Sequence, residues 1–305
     1  MQNVNVNVPC HEVSQDQLAK ALDDIRGRAF SRWHTMEYDT FRLRMLEEMR
    51  DELLDHAAAS LREGPLTGHT REVLHTAAEC AHGLLSLGCF PEGDQLIPFP
   101  LVGEAISSET MDFRWVVNEA ATARWWVDAY AVIVAAGFVW EWKKVIGPLL
   151  RGDYAPSIRK GVPHSDHTSV SDPADLAEMD ALCSYLADDE NPGPFGPAAA
   201  LCKPTSEELT EGARRLDAVE GELSADQHLL RVLLDDDQPA FERALVEHLE
   251  QHREQSAAMA DAPPRSRLPV GAVALACLAV QSHGWKLNVT SGYLPPDLTS
   301  SPSGM

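Results

Sequence analysis

Apolar residues recur at three- and four-residue intervals along most of this chain, while strict alternation is confined to its two ends. Helical spacing puts Leu18, Ala21, Leu22 and Ile25 on one face of a helix over residues 13–26, capped by Ser14. Residues 28–34 link it onward. Phe41, Leu43, Leu46, Met49, Leu53, Leu54, Ala57 and Leu61 form the stripe of a longer helix, with Asp39 as cap and Gly64-Pro65 as stop. Thr67 opens a third helix, in which Val73, Leu74, Ala77, Ala81, Leu84 and Leu85 face inward. The connection over 64–68 is so short that these two helices must be antiparallel neighbours.

Gly and Pro residues then break the periodicity over 87–108, leaving a loop whose apolar Leu96-Ile97-Pro98-Phe99 packs onto the bundle. An aromatic stretch follows, with Phe113, Trp115, Trp125, Trp126, Tyr130, Phe138, Trp140 and Trp142 at helical spacing and Gly137 between two segments. Such residues anchor a core. Polar, Pro-rich breaks at 152–172 and 188–204 flank a short helix over 173–187. They suggest an N-terminal half (1–155), a connection (156–204) and a C-terminal half (205–305), or one continuous domain. Helices resume over 207–222 and 225–234.

Caps, periodicity and turn residues agree best after residue 234. Asp237 caps a helix with Pro239 in its first turn, and Phe241, Leu245, Val246 and Leu249 make its apolar face while Glu242, Arg243, Glu247 and Glu250 turn away. Beyond Ala262-Pro263-Pro264 a second helix begins at Pro269, and its run 270–280 carries no charge, so it is buried on most sides. Gly284 has the place of a left-handed helix terminator that folds Trp285 back. Trp285, Leu287 and Val289 alternate like an extended tail, and Tyr293 with Leu294-Pro295 pins the chain end. The fold class is all-α: an irregular bundle of antiparallel helical hairpins with a short extended C-terminal tail.

The order Asp236-Asp237 to Phe241, then His252-Arg253, His283-Gly284-Trp285, and Ser291 through Tyr293 to Pro295 resembles the immunity protein 49 family of bacterial polymorphic toxin systems. This resemblance covers about the last quarter of the chain. It implies an all-helical cytoplasmic protein that binds and neutralises a cognate toxin.

Composition narrows the partners. With 47 acidic against 25 basic side chains among 305 residues, the formal charge is −22. That balance argues against nucleic acid, whose phosphates need clustered Lys and Arg, and against an anionic membrane surface. Residues 172–261 hold 22 of the acidic and six of the basic side chains, so they carry −16 of the total. A partner with a basic surface fits that half. Within it Asp235-Asp236-Asp237 offers one carboxylate for capping and two to spare, which places Asp235, Asp236, Asp237 and Glu242 at the expected interface. The six cysteines show no CxxC pair, and the N-terminus lacks the basic and apolar regions of a signal peptide. The longest uncharged run in the middle of the chain, 129–140, is shorter than the roughly 20 residues that cross a bilayer.

Catalytic patterns are sparse. His248 and His252 share a helix face at metal-ligand spacing, and His164 and His167 lie in a polar loop, but no third ligand is fixed by spacing. No GxSxG, P-loop or GxGxxG occurs. The expected protein is not an enzyme and needs no cofactor or metal. An adaptor binding a peptide or protein is the alternative, and a metal-dependent enzyme using those histidines is a second one.

Overall fold

The computed structural model describes residues 6–39, 42–141, 145–187 and 200–300. A strand β1 (Val6–Val8) leads to α1 (Gln15–Leu22) and α2 (Ile25–His34), which continues as a wider turn over Thr35–Asp39. Ser14 caps α1 as expected, its hydroxyl accepting from Gln17 N–H at 3.2 Å. The single helix expected over 13–26 is broken, because Asp24 sits at φ 21° and turns its carboxylate onto the Gly27 N–H to start α2.

The antiparallel pair is α3 (Leu43–Glu63) and α4 (Gly68–Cys89), packed against each other. Thr67 caps α4 through Thr70 N–H. Asp39 does not cap α3: it ends the preceding wide turn, and α3 starts at Leu43 without a side-chain cap. Phe41 lies outside the described residues. The loop expected over 87–108 contains a hairpin of β2 (Leu96–Phe99) and β3 (Glu104–Ser107), whose Ile97, Phe99 and Ile106 are buried. Alternation there is too short to separate from a loop segment in sequence.

The aromatic stretch forms α5 (Ala123–Ala135) and the single turn α6 (Phe138–Glu141), separated by Gly137 at φ 70°. Trp126 and Tyr130 stack at 5.2 Å in the core. Trp115 is a correction: it is 83% exposed, because it sits on a one-turn helix over Phe113–Trp115 that buries Phe113 instead. Trp142 is outside the described residues. The short turn α7 (Ile146–Pro148) precedes the expected polar break and α8 (Ala155–Arg159) occupies its start, followed by α9 (Pro173–Cys183).

The C-terminal part comprises α10 (Ser206–Asp217), α11 (Ala225–Leu233), α12 (Gln238–Ala257), α13 (Val270–Gln281), β4 (Val289–Ser291) and the turn α14 (Pro296–Thr299). Thr205 with Glu208, and Ser224 with Gln227, form reciprocal capping boxes on α10 and α11. The uncharged α13 lies at the centre, against α5, α11, α12 and α14. One hydrophobic cluster runs from Val8 to Leu298, and the four-residue helix over Pro264–Arg267 packs on α3. β1 pairs in parallel with β4, which joins the two ends of the chain. Among the described residues the architecture is all-α with two minimal strand pairs.

Candidate functional site

The acidic corner between α11 and α12 is built by backbone geometry. Asp236 sits at φ 56°, a left-handed conformation that costs a non-glycine residue about 1–2 kcal/mol. The turn aims its three carboxylates in different directions. Asp237 caps α12, accepting from Ala240 N–H at 3.1 Å. Asp235 accepts from Arg231 at 2.6 Å, and Arg231 also grips Asp217. The Asp236 carboxylate turns toward the body, accepting from Lys203 Nζ at 2.5 Å and from His283 Nδ1 at 2.8 Å. Asp235 and Asp236 therefore remain on the surface while each is held in an internal pair.

His283 stands at the end of α13. Gly284, at φ 72°, reverses the chain there, and Trp285 N–H bonds back to the Ala279 carbonyl at 3.0 Å. The Trp285 ring then lies 4.6 Å from the imidazole and 5.7 Å from Phe241. These contacts leave the His283 side chain with 0% exposure. Its Nε2 lies 2.9 Å from Tyr185 Oη. Burial pushes the imidazole below the ordinary histidine range, against the pull of Asp236. A neutral ring then donates from Nδ1 to Asp236 and accepts the Tyr185 hydroxyl proton at Nε2, a tautomer assigned from its partners. Burial opposes ionisation of Asp236 too, but its bonds from Lys203 and His283 outweigh that and hold its carboxyl below the usual range. Burial raises the Tyr185 phenol.

This Asp–His–Tyr chain has the composition of an acid–base relay, but both imidazole nitrogens are engaged and the ring is covered. It joins four segments: the end of α9, the stretch before α10, the α11–α12 corner and the end of α13. Tyr185 and Lys203 carried no signal in sequence, because they meet their partners across 98 and 33 positions.

Glu242 is half-buried rather than free. It accepts from Asn288 N–H at 3.0 Å and from Gln238 Nε2 at 2.8 Å, holding the tail on α12. Tyr293 is buried, its Oη accepting His11 N–H at 2.9 Å and lying 2.7 Å from His11 Nδ1. Pro295 begins the turn into α14.

The histidines considered as metal ligands are dispersed. His248 Nε2 lies 3.1 Å from Asp226, His252 Nε2 lies 2.6 Å from the Ser266 carbonyl, and His167 Nε2 lies 3.1 Å from the Val117 carbonyl. His164 rests against Phe90. Among the described residues no three His, Cys, Asp or Glu side chains converge as a metal site. All six cysteines are free thiols, and burial raises those of Cys89, Cys183 and Cys277 to about 12. No described helix is long and apolar enough to cross a membrane.

Three arginines of this acidic half are spent on neighbours, Arg214 and Arg215 on Glu211 and Arg231 on Asp217 and Asp235, while Arg243 and Arg253 on α12 have no ion pair among the described residues. Glu247, Glu250 and Glu254 share the exposed flank of α12 with no ion pair among the described residues. Their spacing of three and four residues makes one stripe, at whose start Arg243, four residues before Glu247, carries the opposite charge.

The family described as immunity protein 49 matches residues 66–298. No curated protein and no solved structure matches the chain.

Proposed function

The chain belongs to the immunity protein 49 family, and from that premise we propose that it is a cytoplasmic protein that protects its producer by binding a cognate polymorphic toxin and holding it inactive. No reaction and no cofactor enter this reading. The partner surface is placed on the exposed flank of α12 and the corner preceding it, with Asp235, Asp236, Asp237 and Glu242 at one end and Glu247, Glu250 and Glu254 along the helix. A complementary basic patch on the toxin would be steered to this face and set in register by it.

The observation that supports this most is the charge that remains after internal pairing. Glu247, Glu250 and Glu254 outnumber the unpaired Arg243 and Arg253 on a helix whose start is capped and whose neighbours are pinned by the Asp236–His283 network, so the field they present has a fixed shape. Exposed anions on a rigid element raise association rates with little reorganisation.

Reversing Glu247, Glu250 and Glu254 together to Lys tests the surface without touching a cap or an internal pair. Stopped-flow association with the cognate toxin domain should slow by about tenfold at low salt. Raising the salt should close the gap between variant and wild type. An unchanged low-salt rate would remove this face from the proposal.

A further inference from the structure

Away from the Asp236 network, α5, α9, α11 and α13 meet around a cavity of about 80 Å³. Val127, Ala131, Leu182 and Leu275 give it apolar walls, while Asp128, Glu178 and Asp226 set three carboxylates against one guanidinium, that of Arg124. Arg124 is already committed: its Nε and Nη2 donate to Asp128 at 2.9 and 2.6 Å. It also forms an ion pair with Glu178 Oε2 at 3.6 Å, too long for a good hydrogen bond.

Glu178 is only 3% exposed, yet its Oε2 makes no hydrogen bond among the described residues. Buried polar atoms are almost always bonded, so this oxygen on a residue that lines the cavity calls for a donor-bearing guest. Anions are repelled by the three carboxylates. A metal ion lacks a converging ligand set among the described residues. Neutral apolar guests leave the Glu178 oxygen without a donor, and water supplies one but leaves the lining's excess of carboxylates over Arg124 unbalanced.

We propose that this cavity binds a primary alkylammonium group, the ammonium bonded to Glu178 near Asp226 and the aliphatic stem against Val127, Ala131 and Leu275. Asp226 is kept at the cavity by two features. His248 holds its carboxylate at 3.1 Å, and Gly271 at the start of α13 has no side chain, where a methyl would collide with that carboxylate. The group's source is either a free amine or a lysine side chain of a protein. Nothing in the argument depends on the toxin reading.

Methyl-labelled full-length protein titrated with n-butylammonium provides the test by NMR. Saturable shifts should appear at the Val127, Ala131 and Leu275 methyls, and n-butanol, with the same stem and no charge, should bind at least about tenfold more weakly. Glu178→Gln should weaken n-butylammonium by a similar factor, and Ala131→Met, which fills the cavity without touching a charge, should abolish the shifts. Nα-acetyl-lysine N-methylamide separates the sources: binding like n-butylammonium assigns the cavity to a protein lysine, and failure beside a binding n-butylammonium assigns it to a free amine. The proposal is overturned if n-butylammonium produces no saturable shift at these methyls. Equal binding of n-butanol, or of n-butylammonium to Glu178→Gln, would overturn it as well.

Discussion

At the scale of single residues, two buried ionisable groups respond to pH in opposite directions. His283 is held neutral by burial, so the folded state binds its proton less readily than the unfolded chain does. The stability it contributes is complete above the ordinary histidine value of 6.5 and is lost as the pH falls below that value toward the folded one. His283→Gln leaves Tyr185 and Asp236 without a buried partner and should cost about 2 kcal/mol at pH 7.5. Denaturant titrations should find that difference smaller at pH 5, and a difference that grows on acidification would show that the ring is charged in the fold. Glu178 behaves the other way. Burial raises its carboxyl to about 7, so its stabilising contribution is full below about pH 4.5 and is lost as the pH rises through 7. Glu178→Gln should therefore raise Tm relative to wild type at pH 8 and lose that advantage at pH 5.

At the scale of elements, what could be read in sequence was local. Ser14, Thr67 and Asp237 announce helix starts because a cap acts on backbone within three positions, and each makes its bond. Gly284 announces a stop because a left-handed φ is cheap only without a side chain. Gly284→Ala should cost about 1 kcal/mol and speed hydrogen exchange at Trp285, whose N–H depends on that reversal. Features that depend on distant partners left no such trace. The β1–β4 pair joins opposite ends of the chain, and Trp115 looks like its buried neighbours until the fold turns it outward. The same holds for the candidate site. Its carboxylates were visible as a charge run, while the partners that restrain Asp235, Asp236 and Glu242 were set by tertiary packing.

At the scale of the whole molecule, a continuous core and a wrapped chain work together. Hydrophobic contacts pass from Val8 to Leu298, α13 is shared by helices from early and late in sequence, and β1 ties the start to β4. We propose on this basis that the chain unfolds as one unit despite its Pro-rich middle. Circular dichroism at 222 nm and Trp fluorescence should give coincident transitions, and a separate early transition would divide it into independent halves. A body of this kind presents its unpaired carboxylates, part of a net charge of −22, on a fixed surface. On the proposed reading sequestration needs only contact, and contact has a stoichiometric signature. The most direct measurement is a titration of the toxin domain's activity with this protein at toxin concentrations well above Kd. The account predicts that activity falls in proportion to the protein added, reaches zero at a fixed molar ratio, and returns when the complex is separated, with the toxin's mass unchanged. Loss of activity at far less than one protein per toxin, or full activity in the presence of excess protein, would contradict it.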